Sequence, residues 1–420
     1  MGNWVDVGNS QIFRRLGYWI LLLVIASLGF IQNGLEIGDN EFLATDLLAI
    51  LLVIVWLVGT LTRQIRFRWD RSYWFIIAYL AAAVVSTVFS SEPNRSFGVL
   101  PRAFYLAGLA FLTTVFVDRR DSVKAASLSW LIGSSFSILV GIFTLILFYV
   151  RPETALLADL TYHYGSVPVG NYPRLTATFP SASMFCNYLT VGLVIAMLAV
   201  SHRWLRPLLG YLLVIAALIC ALFTFSIGLG SVVMSLGLSP FIIHRANNKA
   251  AKALALTGIT AAFGFLILSF VSLSPSATRE ATFYQPSSRV LVWRDAVQTF
   301  TANPIVGNGL GLPVANTIVA DTDGTLSLLT DAHNSFLNVA SQSGVAGLAT
   351  LIALTMYLTV KWSGAIKSKA DRQFTRAFGL AFFAAFVVQG LTGSFEEARH
   401  LWVLIGLLIA ADGVEAKDAV

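Results

Sequence analysis

One histidine in this sequence stands where a proton transfer could take place. His333 is followed by Asn334, and a long apolar run begins two residues later at Phe336. The ordinary pKa of an imidazole lies close to neutral pH, so the ring can accept a proton from a hydroxyl group. We therefore predict His333 as a general base and Asn334 as a possible substrate contact. The alternative is an interfacial histidine whose ring is bonded to a carbonyl group.

Two arginines suggest a second chemistry, the binding of phosphate. A guanidinium group is planar, always charged and able to donate two parallel hydrogen bonds to a phosphate. Arg289 lies one helical turn before Trp293, within the stretch Ser287–Thr301, whose apolar residues recur at helical spacing. Arg174 precedes a Thr-Ala-Thr-Phe-Pro turn that leads into the next apolar run. We predict that both bind a diphosphate. The alternatives are an Arg289 that binds a lipid headgroup or pairs with Asp295 or Glu280, and an Arg174 that anchors a helix start.

Three further residues are possible substrate contacts. Trp293 shares a predicted helix face with Arg289, and Arg102 is the main charged residue inside the apolar runs. Arg399 follows Glu396 and Glu397 in a short turn between the last two runs. A salt bridge within this turn is the interpretation that we favour for Arg399, and contact with substrate is the second.

The composition indicates a membrane protein. The chain has 420 residues, of which 56% are hydrophobic and only 12% charged, whereas soluble domains carry about 25% charged residues. No zinc-binding, Walker-type or CxxC pattern occurs, and the glycine cluster Gly307–Gly311 has no strand before it, so we predict a tight connection there rather than a nucleotide loop. The two cysteines lie in apolar runs and indicate no disulfide framework. We predict no metal, no cofactor and no nucleic-acid partner.

The apolar runs predict an all-α polytopic membrane protein with about twelve spanning helices. These runs are Gly17–Ile31, Phe42–Leu61, Tyr73–Phe89, Phe97–Val117, Lys124–Val150, Met184–Ser201, Arg206–Phe225, Leu229–His244, Ala251–Leu273, Phe336–Trp362, Phe374–Ser394 and Ala398–Gly413. They divide the chain into residues 1–273 with nine helices and an outer segment at 151–183, a partly helical outer loop at 274–335 that carries the candidate site, and residues 336–420 with three helices and a short tail.

Positive charge predicts the orientation of these spans. Cytoplasmic segments of membrane proteins are enriched in lysine and arginine. With both termini in the cytoplasm, all but eight of the 28 basic residues fall on the inner side. All of those on the outer side are arginines, namely Arg95, Arg102, Arg151, Arg174, Arg279, Arg289, Arg294 and Arg399.

Several of these motifs resemble those of the O-antigen ligase and polymerase superfamily of bacterial envelope glycosyltransferases. The resemblance rests on Arg289-Val-Leu-Val-Trp293, on Asn303-Pro304-Ile-Val-Gly307-Asn-Gly309-Leu-Gly311, and on His333-Asn334-Ser-Phe-Leu337 with Gly344 and Gly347 after it. Arg174-Leu-Thr-Ala-Thr-Phe179 is similar to a motif before the family's middle spans, and Phe395-Glu396 to Trp402 is similar to its closing segment.

The resemblance implies transfer of a glycan from an undecaprenyl-diphosphate carrier to an acceptor hydroxyl, without a metal or a nucleotide. His333 would be the base that deprotonates the acceptor, and Arg289 and Arg174 would hold the departing diphosphate. Attack by the activated hydroxyl on the anomeric carbon would invert that centre. The family also implies the bacterial inner membrane, with the site on the periplasmic face and with membrane lipids around the chain. We favour lipid A–core as the acceptor.

One position departs from the family, because this chain has Ser226-Ile227-Gly228 where members often have Ser-Arg-Gly. Arg102 or Arg399 is then the candidate replacement for the expected arginine. Four hypotheses follow from the sequence. They are an O-antigen ligase, a polymerase on the same fold, a transferase of glycans to protein, and a flippase or transporter of the lipid-linked glycan.

Overall fold

The structure is a computed structural model. It describes residues 11–31, 35–37, 40–67, 69–164, 172–246, 248–268, 288–320 and 326–418. Parts of the predicted outer loop, including Arg279, Glu280, Ser287 and the end of the ninth apolar run, lie outside these residues, as does the side chain of His163.

The described residues form a helical protein with three short antiparallel hairpins. The helices are α1 Ile12–Ser27, α2 Ala44–Leu61, α3 Ser72–Val88, α4 Pro93–Phe116, α5 Arg120–Val150, α6 Leu156–Leu160, α7 Ala182–Ser201, α8 Pro207–Phe223, α9 Leu229–Ile242, α10 Lys249–Leu268, α11 Ser288–Ala302, α12 Ser335–Lys367, α13 Gln373–Phe382 and α14 Arg399–Lys417. A π-helical turn, Phe383–Val388, extends α13. The hairpins pair β1 Leu35–Ile37 with β2 Asn40–Phe42, β3 Thr161–Tyr164 with β4 Tyr172–Leu175, and β5 Thr317–Ala320 with β6 Leu326–Leu329.

Each of the twelve predicted apolar runs contains a helix. Six of the described helices are long and apolar enough to cross a membrane by length and composition, namely α2, α4, α5, α7, α10 and α12. Shorter apolar helices occur at α3, α8, α9 and α13 with its π-helical turn. The agreement has a simple reason. A helix satisfies its own backbone hydrogen bonds, so an apolar run that must lie in lipid has little choice of local structure.

Burial separates a central layer from a peripheral one. Most of α7 is buried inside the protein, whereas most of α2 and of α10 is not. The largest fully buried side chains include Tyr188 and Phe185 of α7 and Trp402 of α14. In contrast, leucines and isoleucines of α2, α8 and α10 are exposed. Apolar side chains on the outside are expected where the solvent is the lipid bilayer.

One end of the helix bundle gathers the predicted site residues, and we call it the His333 end. The start of α12 lies there against the end of α13, since Asn334 Nδ2 donates to Leu391 O at 3.1 Å. The end of α3 meets the glycine cluster through Ser91 N and Asn308 O at 3.1 Å. At the opposite end, Lys361 Nζ lies 2.9 Å from Asp70 Oδ2.

The glycine cluster packs on a break in α12. Gly344 has φ 64° and ψ −164°, so the helix is interrupted there. The interruption leaves carbonyl groups free for the loop, and Gly309 N donates to Gln342 O at 3.0 Å while Val345 N donates to Pro304 O at 2.8 Å. This confirms the predicted tight connection and explains why the motif needs glycine at both Gly307 and Gly344.

Replacing Gly344 by alanine is expected to destabilise the fold. A Cβ at this position would lie 2.2 Å from the carbonyl oxygen of Ile305, and the positive φ costs a non-glycine residue about 1–3 kcal/mol. The midpoint of thermal unfolding in detergent would show the loss. Gly364→Ala is the matched control, since Gly364 lies in the same helix with open space around it. An equal midpoint for the two variants would contradict this account of the break.

The hairpins were not predicted. Each strand has only three or four residues, too few for a two-residue alternation to stand out in a sequence. The pair β3–β4 nevertheless matters for the site, because it holds Arg174 opposite Tyr162 in the register of the hairpin.

Candidate active site

A short turn before α12 places His333. Asp331 accepts a hydrogen bond on Oδ1 from the backbone N–H of His333, which closes an Asx turn and gives His333 a φ of 45°. Asn334 is the N-cap of α12, and its Oδ1 accepts from Phe336 N at 3.0 Å and from Leu337 N at 3.1 Å. The sequence Asp-Ala-His-Asn therefore encodes a turn followed at once by a helix cap.

The imidazole of His333 contacts a carboxylate rather than a carbonyl. Nδ1 of His333 lies 3.0 Å from Oδ1 of Asp331, and 38% of the imidazole side chain is exposed. Burial would raise the pKa of Asp331, but its hydrogen bonds to His333, the charge of that residue and the hydroxyl of Ser394 outweigh burial and hold the pKa below its usual range. An Asp331 that stays ionised fixes a proton on Nδ1 and leaves Nε2 as the ring nitrogen for a substrate.

The turn Leu391–Phe395, between α13 and α14, joins Arg289 to this pair. Arg289 Nη1 donates to Thr392 O at 2.8 Å, and Ser394 Oγ donates to Asp331 Oδ1 at 3.3 Å. Ser335 N donates to Gly393 O at 3.1 Å, which ties the start of α12 to the same turn. Arg289 and His333 therefore share one structural support, although they are far apart in the sequence.

Arg174 is held by the loop after α8, and the same loop contacts the buried amide of Gln389. Arg174 Nε donates to Thr224 O at 3.1 Å, at the end of α8. Gln389, which is 1% exposed, donates through Nε2 to Gly228 O at 3.1 Å, and Thr392 N donates to Gln389 O at 2.9 Å. Gln389 therefore contacts two short loops, one that binds Arg174 through Thr224 O and one that binds Arg289 through Thr392 O.

The helix α11 agrees with the stretch predicted from the sequence, and it contains Arg289 and Trp293. Ala296 of α11 packs in a small cluster with Val314 and Ala332, so the helix lies against the segment that contains His333. Asp295, the predicted alternative partner of Arg289, instead accepts from Thr317 Oγ1 at 2.7 Å and from Asn316 N at 3.2 Å.

The prediction that Arg399 forms a salt bridge within the turn before α14 is wrong. Arg399 pairs with Asp46 of α2 through two contacts of 2.8 and 2.9 Å, and Arg102 pairs with Glu397 at 2.9 Å. The reason is that α2 and α4 meet this turn at the same end of the bundle, so that Arg399 pairs with a carboxylate of α2 and Glu397 with a guanidinium of α4. Both guanidinium groups therefore contact a carboxylate. The side-chain oxygen of Asn334 is likewise bonded to the first backbone N–H groups of α12.

Two residues of the site escaped the sequence analysis. Asp331 was overlooked because a carboxylate two residues before a histidine is common in loops, although the spacing is the one an Asx turn requires. Thr392 contributes only its backbone oxygen, and a backbone contact leaves no signal in the residue type.

A comparison with known families bears directly on this site. Residues 181–352 match the family model described as Wzy_C, O-Antigen ligase. This segment runs from the N-cap of α7 into α12, so it contains Arg289, Trp293, Asp331 and His333 but not Arg174. No curated protein matches the chain. Members of this family are glycosyltransferase-like enzymes of surface-glycan assembly. Over residues 181–352, this chain of apolar, membrane-length helices is therefore similar to the O-antigen ligase family.

Proposed function

We propose that the protein is an O-antigen ligase that transfers a polysaccharide from undecaprenyl diphosphate to a hydroxyl group of lipid A–core. The observation that carries this proposal is the joint support of two groups by one turn. The carboxylate-bound imidazole of His333 and the guanidinium of Arg289 both contact residues 392–394, directly or through Asp331. A base and a phosphate-binding cation held on one element are what such a transfer needs.

His333 would act on the acceptor. Nε2 takes the proton of the hydroxyl group as its oxygen attacks the anomeric carbon of the donor, and Asp331 stabilises the imidazolium that forms. The bond from the anomeric carbon to the diphosphate oxygen breaks, and its electron pair leaves with the diphosphate. Attack from the face opposite the leaving group inverts the configuration of the anomeric carbon.

Arg289 would act on the donor, with Arg174 in support. Negative charge develops on the diphosphate as it departs, and a fixed guanidinium stabilises that charge more in the transition state than in the bound substrate. Ile227 occupies the position of the arginine that the family often has. We propose a site with two phosphate-binding arginines, Arg289 and Arg174. Arg102 and Arg399, each paired with a carboxylate, and Trp293 and Asn334 are then supporting residues.

We propose the inner membrane as the location, with twelve spans, both termini in the cytoplasm and the His333 end facing the periplasm. The supporting observation is the position of basic residues that the charge rule assigns to the cytoplasm. Arg14, Arg120 and Lys361 lie in ion pairs at the end opposite His333, where the predicted cytoplasmic segments are. Membrane lipids would surround the peripheral helices.

Asp331→Asn is expected to lower the transfer rate with little change in substrate affinity. The amide can still accept the hydrogen bond from His333 N, but it no longer stabilises an imidazolium ion, and general-base catalysis contributes about 10²–10⁴-fold. Steady-state rates with purified protein would measure the effect. Glu92→Gln is the control, since this carboxylate lies exposed at the same end of the bundle. Equal rates for Asp331→Asn and the wild type would contradict the role of the pair.

The decisive experiment is transfer in vitro with purified protein, a lipid-linked donor and candidate acceptors, with and without a chelator. Transfer of whole chains to lipid A–core supports the ligase. Extension of the donor by repeat units indicates the polymerase, and product on protein indicates the protein-glycan transferase. Deleting the gene gives the matching test in cells, because loss of a ligase leaves carrier-linked polymer, whereas loss of a polymerase leaves single-repeat products. Movement of donor across vesicles without any transfer would favour the flippase and overturn the proposal.

A further inference from the structure

A buried carboxyl group lies directly behind the turn that holds His333. Glu396, in the turn before α14, is 5% exposed, and its Oε1 accepts a hydrogen bond from Asn338 Nδ2 on α12. Among the described residues its Oε2 has no hydrogen-bond partner. Trp402 Nε1 donates to the backbone oxygen of Glu396 at 2.7 Å, so the position of this residue is fixed on both sides.

The amide of Asn338 also bonds to the peptide group beside His333. Ala332 N donates to Asn338 Oδ1 at 3.3 Å, and Ala332 is fully buried between Asp331 and His333. A backbone N–H can only donate, so the oxygen of the amide must face Ala332 and its NH₂ group must face Glu396. The direction of both hydrogen bonds is therefore set by the backbone.

The surroundings of Glu396 favour its uncharged form. Burial raises its pKa to about 7, and the charge of Glu397 acts in the same direction, whereas hydrogen bonds to its own backbone, to Asn338 and to Ser335 lower the pKa by less. A buried carboxylate with one unpaired oxygen is costly, whereas the neutral acid is much less so. Two titratable groups interact with Glu396 directly, namely Glu397 and Tyr79 of α3. The charged pairs of the same region are Arg102–Glu397, Arg399–Asp46 and, beyond Asn338, Asp331–His333.

We propose that Glu396 is a positioning residue for His333, which it holds in place through Asn338 when its carboxyl group is uncharged. This inference rests on the proposed function. Glu396 touches no reacting atom and acts only on the turn. When it ionises, the carboxylate draws the Asn338 amide towards itself and its second oxygen takes up water, so the hydrogen bond from Ala332 N to Asn338 Oδ1 lengthens and residues 331–333 are held less firmly. The transfer rate then falls although His333 itself is unchanged.

The sign of the pH effect follows from the raised pKa. A glutamate in the unfolded chain has a pKa of about 4.3, whereas Glu396 in the folded protein keeps its proton up to about pH 7. The folded state therefore binds more protons than the unfolded state across this interval, and the free energy of unfolding decreases as the pH rises through it. At pH 8 the uncharged fraction, and with it the transfer rate, is expected to be about tenfold below its maximum.

The test compares the pH dependence of kcat for wild type, Glu396→Gln and Glu397→Gln. The neutral amide of Glu396→Gln still accepts from Asn338, so we expect most of the wild-type rate near pH 6 and no decrease at alkaline pH. In Glu397→Gln the decrease should move to lower pH, because removing the neighbouring negative charge lowers the pKa of Glu396. An alkaline decrease that persists in Glu396→Gln would overturn the proposal. So would a Glu396→Gln variant that unfolds at the wild-type temperature yet is inactive.

A second measurement does not depend on transfer. The infrared C=O band of a protonated carboxyl group should disappear as the pH is raised through about 7 in the wild type and should be missing in Glu396→Gln. A titrating band in a protein that transfers no glycan would mean that the proposed function is wrong while the buried acid is real. No such band in the wild type at pH 6 would mean that the uncharged form does not exist, and the inference would fail.

Discussion

Replacing His333 by alanine is expected to abolish measurable transfer while the protein still folds and inserts into the membrane. The variant loses the group that accepts the proton of the acceptor hydroxyl, and general-base catalysis contributes about 10²–10⁴-fold. The side chain is 38% exposed and belongs to a turn rather than to the apolar core, so its removal leaves packing unchanged. The rate is measured with purified protein, and the fold is checked by the thermal unfolding midpoint.

His244→Ala is the control for this variant. His244 is exposed beside the C-terminal end of α9 and contacts none of the site residues, so the rate should remain that of the wild type. Near-normal transfer by His333→Ala would remove its catalytic role and favour a transporter, which needs no base.

Arg289→Lys is expected to be severely impaired, with a loss of about 10²–10³-fold in rate, the effect seen when one fixed donor to a developing charge is removed. Lysine keeps the positive charge but not the planar group, so it cannot contact Thr392 and a phosphate with separate, parallel nitrogens. The loss should appear in kcat more than in KM, because the charge on the leaving group grows in the transition state.

Arg294→Lys is the matched control, because Arg294 lies further along the same helix and is exposed. It should behave like the wild type. Full activity in Arg289→Lys would identify Arg289 as a surface arginine and leave the diphosphate without its main binding group.

The helices could be predicted far better than the contacts between them. A run such as α5 is apolar along its whole length, and the local rule that a chain in lipid must satisfy its own backbone is enough to predict a helix. The kink at Gly344 was not predictable by that rule. It depends on the loop at Gly307, whose backbone takes the space that a side chain would need.

The candidate site shows the same division. His333 and Arg289 were predicted from residue type and from the family resemblance, since a histidine before a span and an arginine on an amphipathic helix are local features. The roles that we propose for Asp331 and Glu396 could not be predicted. Nothing in the sequence distinguishes a carboxyl group that orients a base from one that is simply solvated.

By itself, the sequence determined that this chain is a helical membrane protein with the motifs of a glycan-transferring family, because hydropathy, charge and short motifs act over one or two turns. Only the tertiary structure decided which distant residues the charged side chains contact. Arg399 pairs with Asp46 across 353 residues, and Arg289 contacts Thr392 across 103. Such pairs form because folding places distant helix ends at one end of the bundle, and the order of residues does not record which ends will meet.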